Sequence, residues 1–223
     1  MKLSLFSHLP NKRLIYLLAS IIVFLGVNPF FHDSGQAWVS VLFAGFLIPF
    51  LAVWLVAEHR FNVFFATALA VPYVLLSWVS TFEPTSAIIM MRYILAVAFY
   101  GFAVYLVLHN IHKREVTVDV IVGSISAYLL IGIMGSFLFQ FINLVQPGSF
   151  LSTVASETGS GTIDFFYYSF VTLTTLGFGD IVPVSSVARS FTALEAITGV
   201  LFCLLYTSPS PRDAHESRMP SSA

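Results

Sequence analysis

The sequence predicts an all-α membrane protein: six transmembrane helices, with a short re-entrant helix and a loop between helices five and six. Three observations lead there. The 223-residue chain is 57% hydrophobic and 9% charged, against roughly 25% charged in an ordinary soluble domain. Six apolar runs approach the roughly 20 residues that a helix needs to cross a hydrocarbon core. A seventh, residues 163–173, is too short to cross and leads directly into Thr174-Thr175-Leu176-Gly177-Phe178-Gly179-Asp180.

The spans follow in order. Residues 14–31 are the first, with Asn28 and Pro29 ending or kinking it late. Residues 37–57 are the second and contain Pro49; residues 61–80 are the third and contain Pro72. In lipid such prolines are tolerated because neighbouring helices satisfy the freed backbone groups. Residues 86–108 and 118–145 are the fourth and fifth, and residues 187–202 begin the sixth.

Basic residues set the orientation. Lys2, Lys12 and Arg13 precede the first span, Arg60 lies in the second connection, and Lys113 and Arg114 lie in the fourth. The alternate connections carry Asp33, Glu83 and Glu157 and no Lys or Arg; Arg189, near the outer start of the last span, is the exception. Both termini are therefore expected in the cytoplasm, with the 174–180 loop on the outer side. The run after Arg13 is too long for a cleavable signal peptide and lacks a small-residue cleavage site.

A net charge of −1 gives no reason to expect nucleic acid as a partner. The single cysteine, Cys203, excludes an internal disulfide and a cysteine-based metal cluster. The run from Cys203 to Asp213 resembles the in-frame translation of a transposase sequencing adapter. Ser217 to Ala223 resembles that adapter's far end, and Ala214 to Glu216 fall where a variable index would lie. The alternative is a natural Ser/Pro-rich tail. Three segments result: residues 1–110, a four-helix domain; 111–202, outer helix, short helix, loop and a truncated last helix; and 203–223, a non-native tail.

Residues 163–173 follow a polar stretch, 152–161, whose Gly and Ser favour an exposed loop. Thr162 can cap a helix starting there, with Asp164 in its first turn favourable to the helix dipole. Such a helix, pointing inward, places its partial negative end near the membrane centre. In the loop, glycine at alternate positions lets the backbone adopt conformations that other residues avoid and turn its carbonyls to one side. A row of carbonyls can replace the water shell of a dehydrated cation.

Thr175 to Asp180 match the potassium-channel signature T-x-G-[YF]-G-D, and the chain resembles that family over residues 118–202, in the bacterial six-span, single-pore-loop form. The resemblance implies a pore helix and a selectivity filter. The carbonyls of Thr175, Leu176, Gly177 and Phe178 would line the ion path, with the Thr175 hydroxyl closing the innermost site. Gly177 and Gly179 would permit the alternating backbone, with Thr174 in support and Asp180 at the outer mouth. Tyr167 and Tyr168 occupy the family's pore-helix aromatic pair and would brace the filter laterally. Gly199 matches the inner-helix glycine at which many members bend on opening. Three positions depart from the family pattern: Phe178 replaces the commoner tyrosine, Leu176 stands where valine or isoleucine is usual, and Val171 replaces a glutamate that pairs with the Asp180 equivalent in some relatives.

One filter segment per chain implies four chains around an axis. Small residues Gly123, Gly132, Gly135 and Ser136 in the fifth span would let it pack closely on the inner helix. The fourth span carries Arg92 alone, where a voltage sensor needs basic residues at every third position; Arg92 reads as packed or snorkelling. Glu195 sits inside the inner helix, where an ionisable group is costly. It would attract cations or report protons, or else hydrogen-bond a neighbouring helix. His109 and His112, spaced three apart beside Glu115, read as a solvated face rather than a metal site. The expectation is thus a passive, potassium-selective, non-voltage-gated homotetramer of a bacterial plasma membrane, with no cofactor beyond the permeant K+. Its partners are the bilayer and three identical subunits; its gating ligand is open. The alternatives are a poorly selective cation channel and a non-conducting regulatory subunit. No nucleophile–base pair supports an enzyme.

Overall fold

A computed structural model of the chain describes residues 12–32, 60–112, 118–153 and 164–207. The expected second span (37–57), Thr162, Glu157, Lys113, Arg114, Glu115 and the chain beyond 207 lie outside the described residues.

The described residues form α1 (Lys12–His32), α2 (Arg60–Phe82), α3 (Ser86–His112), α4 (Val118–Val145), β1 (Phe150–Ser152), α5 (Phe165–Leu173), β2 (Ile181–Pro183) and α6 (Ser186–Thr207). Among the described residues, four stretches are long and apolar enough to cross a membrane: Asn62–Phe82, Ser86–Asn110, Val118–Val145 and Ser186–Leu204. In α1 the apolar stretch among the described residues is Leu14–Gly26. Neither Pro29 nor Pro72 ends its helix.

Serines inside these apolar helices spend their hydroxyl hydrogens on the preceding turn. Ser20 donates to the Leu17 carbonyl (2.7 Å), Ser124 to Val120 (2.6 Å), Ser126 to Val122 (2.8 Å) and Ser136 to Ile133 (2.6 Å). A buried hydroxyl without such an acceptor would be costly in this setting.

α4 is the hub, packing against α1, α3, α5 and α6, while α2 leans on α3. One apolar core runs across five helices, including Leu17 and Phe24 of α1, Tyr73 of α2, Tyr100 of α3, Phe137 of α4 and Leu173 of α5. Aromatic rings connect its parts. Tyr73 meets Phe99 (6.3 Å between centroids), Phe99 meets Tyr100 (5.4 Å) and Tyr100 meets Phe137 (5.6 Å). Phe137 then meets Phe166 (5.7 Å), which meets Phe24 (5.6 Å). Offset or edge contacts of this kind contribute about 0.5–1.5 kcal/mol each beyond the area they bury.

The expectation of a purely helical chain needs one correction. β1 and β2 pair antiparallel, with Phe150 opposite Pro183, Leu151 opposite Val182 and Ser152 opposite Ile181. Two backbone bonds extend the ribbon, Thr153 N–H to the Asp180 carbonyl (2.9 Å) and Val184 N–H to the Ser149 carbonyl (2.8 Å). It closes the two ends of the segment holding α5 and the glycine loop. Beneath it, Phe139, Phe150, Phe165 and Tyr168 form a second core with Ile142, Ile181 and Ala188. Proline is acceptable at the ribbon's end because an edge position asks for no N–H donor.

Candidate functional site

The site begins with the placing of α5. Asp164 has extended backbone (φ −80°, ψ 95°), and its carboxylate accepts from the N–H groups of Phe166 (2.9 Å) and Tyr167 (3.0 Å). Asp164 is therefore the N-cap and not a first-turn residue, because in this conformation its oxygen reaches two otherwise unpaired helix donors. Asp164→Ala is expected to lower stability by about 1 kcal/mol, seen as a lower thermal midpoint of the detergent-solubilised protein. An unchanged midpoint would count against the cap.

At the other end of α5 the backbone folds onto itself. Thr174 N–H donates to the Phe170 carbonyl (3.0 Å) and Thr175 N–H to Thr172 (2.9 Å). Leu176 N–H (2.9 Å) and Gly177 N–H (3.3 Å) share the Val171 carbonyl. The Thr174 hydroxyl adds a bond to Phe170 O (2.7 Å), and the Tyr128 hydroxyl from α4 donates to Leu173 O (3.1 Å). The loop amides are thus committed to the helix end. Among the described residues, no donor reaches the carbonyls of Thr175, Leu176, Gly177 or Phe178. Val171 serves this site through its carbonyl, a contribution its side chain gave no hint of.

Backbone handedness in the loop alternates. Thr175 (φ 59°), Gly177 (φ 56°) and Gly179 (φ 80°) are left-handed, and the residues between them are not. In a strip that alternates left- and right-handed turns, successive peptide planes flip so that their carbonyls face one side. Glycine accepts positive φ without penalty, whereas a β-branched threonine there is an outlier. Strain on the order of 1–3 kcal/mol at such a residue persists only where surroundings hold it. The sequence pattern pointed to the two glycines; that Thr175 joins the alternation did not follow from it.

The tyrosine pair divides its work. Tyr167 stacks nearly parallel on Phe178 (6.5 Å between centroids, 4° between planes), and its hydroxyl lies within electrostatic reach of the Asp180 carboxylate. Tyr168 turns away from the loop into the second core. The Thr192 hydroxyl already donates to Ala188 O (2.8 Å), so the Tyr168 hydroxyl donates to Thr192 Oγ1 (2.8 Å), fastening α5 to α6. Only Tyr167 faces the loop. Leu176 and Phe178 are exposed, at 59% and 64%, on the single chain.

The glycines of α4 also divide. A Cβ at Gly132 would lie 2.5 Å from the Phe170 ring, so Gly132 admits the short helix. A Cβ at Gly135 would strike the Glu195 carboxylate of α6. Close packing of α4 directly on the inner helix is therefore half of the picture, because α5 is wedged between them. Gly199 of α6 lies against the Leu173 carbonyl, where any Cβ would collide with backbone. It is a close-approach glycine.

Arg92 is packed: its Nη1 donates to Ser80 Oγ (3.1 Å), and its guanidinium sits 4.8 Å from the Tyr93 ring centre. His109 stacks on Tyr105 (5.7 Å), and among the described residues no group of three His, Cys, Asp or Glu could hold a metal.

A helical, membrane-embedded chain with a hairpin-closed loop of unspent carbonyls is the class that this fold and site define. The family described as "Ion channel" matches residues 92–210, more than half of the chain. The protein belongs to that ion-channel family, and it is a channel rather than an enzyme. Neither the curated proteins nor the solved structures contain a match.

Proposed function

We propose that the chain is one quarter of a passive, potassium-selective pore, with Thr175, Leu176, Gly177, Phe178 and Gly179 forming the selectivity filter. The observation carrying this reading is the pairing of alternate handedness at Thr175, Gly177 and Gly179 with carbonyls that accept from nothing else among the described residues. Carbonyls in that state are available to strip and replace a cation's hydration.

Four-fold assembly rests on two features. One loop cannot surround an ion, and closed cyclic symmetry supplies the others. In addition, Leu194, Ile197 and Leu201 make an apolar face of α6 that its own chain leaves exposed. The inward-pointing α5 would offer the negative end of its dipole to an approaching cation. The packed state of Arg92 supports gating by something other than voltage. The distribution of basic residues supports a multi-pass plasma-membrane topology with both termini in the cytoplasm.

Leu176 and Phe178 favour a second reading, a poorly selective cation channel, because Phe178 offers only its ring face to Tyr167. Flux into proteoliposomes under opposed potassium and sodium gradients separates the two. Potassium flux at least about tenfold above sodium is expected, a difference of about 1.4 kcal/mol. Equal fluxes would establish the second reading. Silence that ends on adding a partner subunit would establish a regulatory one.

A further inference from the structure

Behind the loop lies a buried polar junction where α4, α5 and α6 meet. Ser169 Oγ, on α5, is 2.7 Å from the Gly132 carbonyl of α4 and 2.6 Å from Glu195 Oε1 of α6. Ser169 and Glu195 are both buried. Gly135 supplies the clearance, since a Cβ there would also lie 2.7 Å from Ser169 Oγ. The second carboxyl oxygen, Oε2, is buried without a partner.

A hydroxyl carries one hydrogen, and here two acceptors stand within bonding distance of it. Were Glu195 ionised, that hydrogen would go to one acceptor and leave the other facing bare oxygen. An unpaired, charged Oε2 would add a further penalty. The hydrogen count closes when Glu195 brings its own proton: Glu195 donates to Ser169, and Ser169 donates to Gly132. We propose that Glu195 is a neutral carboxylic acid and a positioning residue, linking the inner helix through Ser169 to the outer helix and so fixing α5, from which the loop hangs. The positioning half of this rests on the pore reading above; the protonation half does not.

Among the described residues, the groups facing Glu195 bring no compensating cation. From α5 they are Ser169 and Tyr168, and from α4 Tyr128, both tyrosines interacting with it electrostatically. β2 contributes no titratable residue. On α6 itself, Arg189 spends its Nε on the Pro183 carbonyl (3.2 Å). Raising the pH removes the proton, breaks the chain of bonds and places a charge behind the loop.

The test uses the full chain in vesicles, with flux and infrared spectra recorded from mildly acidic to strongly alkaline pH. Potassium flux of the unaltered protein is expected to fall several-fold, reversibly, on the alkaline side. Glu195→Gln, whose amide donates to Ser169 at any pH, is expected to keep full flux and a flat profile, which also separates Glu195 from Tyr128 and Tyr168. Ser169→Ala is expected to conduct poorly throughout. At neutral pH the unaltered protein is expected to show a neutral-carboxyl stretching band that Glu195→Gln lacks. Absence of that band overturns the proposal whether or not the protein conducts. An alkaline fall persisting in Glu195→Gln overturns the positioning role. No flux from the unaltered protein at any pH, with the band present, refutes the pore reading and leaves the protonation standing.

Discussion

Gly177→Ala is expected to abolish potassium flux while leaving the protein in the membrane. Gly177 holds φ at 56°, and a Cβ built there meets nothing within 4 Å on its own chain. Crowding within one subunit is therefore not the obstacle. The obstacle is handedness, for an L-residue in left-handed geometry costs about 1–2 kcal/mol, enough to tip a short loop toward right-handed backbone. That relaxation rotates the neighbouring carbonyls off the shared side, and in the proposed four-chain assembly it does so in each copy at once. α1 to α4 and the α5 cap do not depend on this residue, so insertion persists. Membrane fractionation together with proteoliposome flux checks the outcome; ordinary flux from the variant would sink the filter assignment.

Gly199→Ala is expected to be the next most damaging change, through packing. Its new methyl would collide with the Leu173 carbonyl at the foot of α5. Backbone cannot swing aside as a flexible side chain can, so α6 must move outward. Overpacking of this kind costs about 1–3 kcal/mol, and the same shift strains the Tyr128 bond to Leu173 O. A fall in thermal midpoint with loss of flux is expected. The resemblance to bending inner helices implies something else, an intact fold with altered opening. An unshifted midpoint with changed flux would favour that alternative.

How much of this was legible follows from the physics of each part. Lipid permits few spanning structures, so composition and run length delivered α4 at both ends, and α2, α3 and α6 with ends up to five residues short. Alternate glycines announced the loop because few other residues take positive φ cheaply. The ribbon of β1 and β2 was not legible, since three-residue strands carry no alternation long enough to notice. The cap lies at Asp164, two positions beyond Thr162, because both residue types satisfy the same N-cap preference. Ser169 and Glu195 lie 26 residues apart, and Ser169 and Gly132 37 apart. Each stands out only as a small or polar residue in an apolar run, and nothing in sequence order brings them together. The one available signal was Glu195 itself, expensive enough in a membrane helix to demand a partner.

The ring-to-ring contacts from Tyr73 to Phe24 pass through the short helix at Phe166. α1, α2 and α3 are therefore packed into the same body as the short helix rather than set apart beside it. Swinging them as a body would unstack phenyl groups from the helix that carries the loop. They behave as masonry: a buttress whose aromatic faces bear on the short helix at Phe166 and resist its sideways displacement.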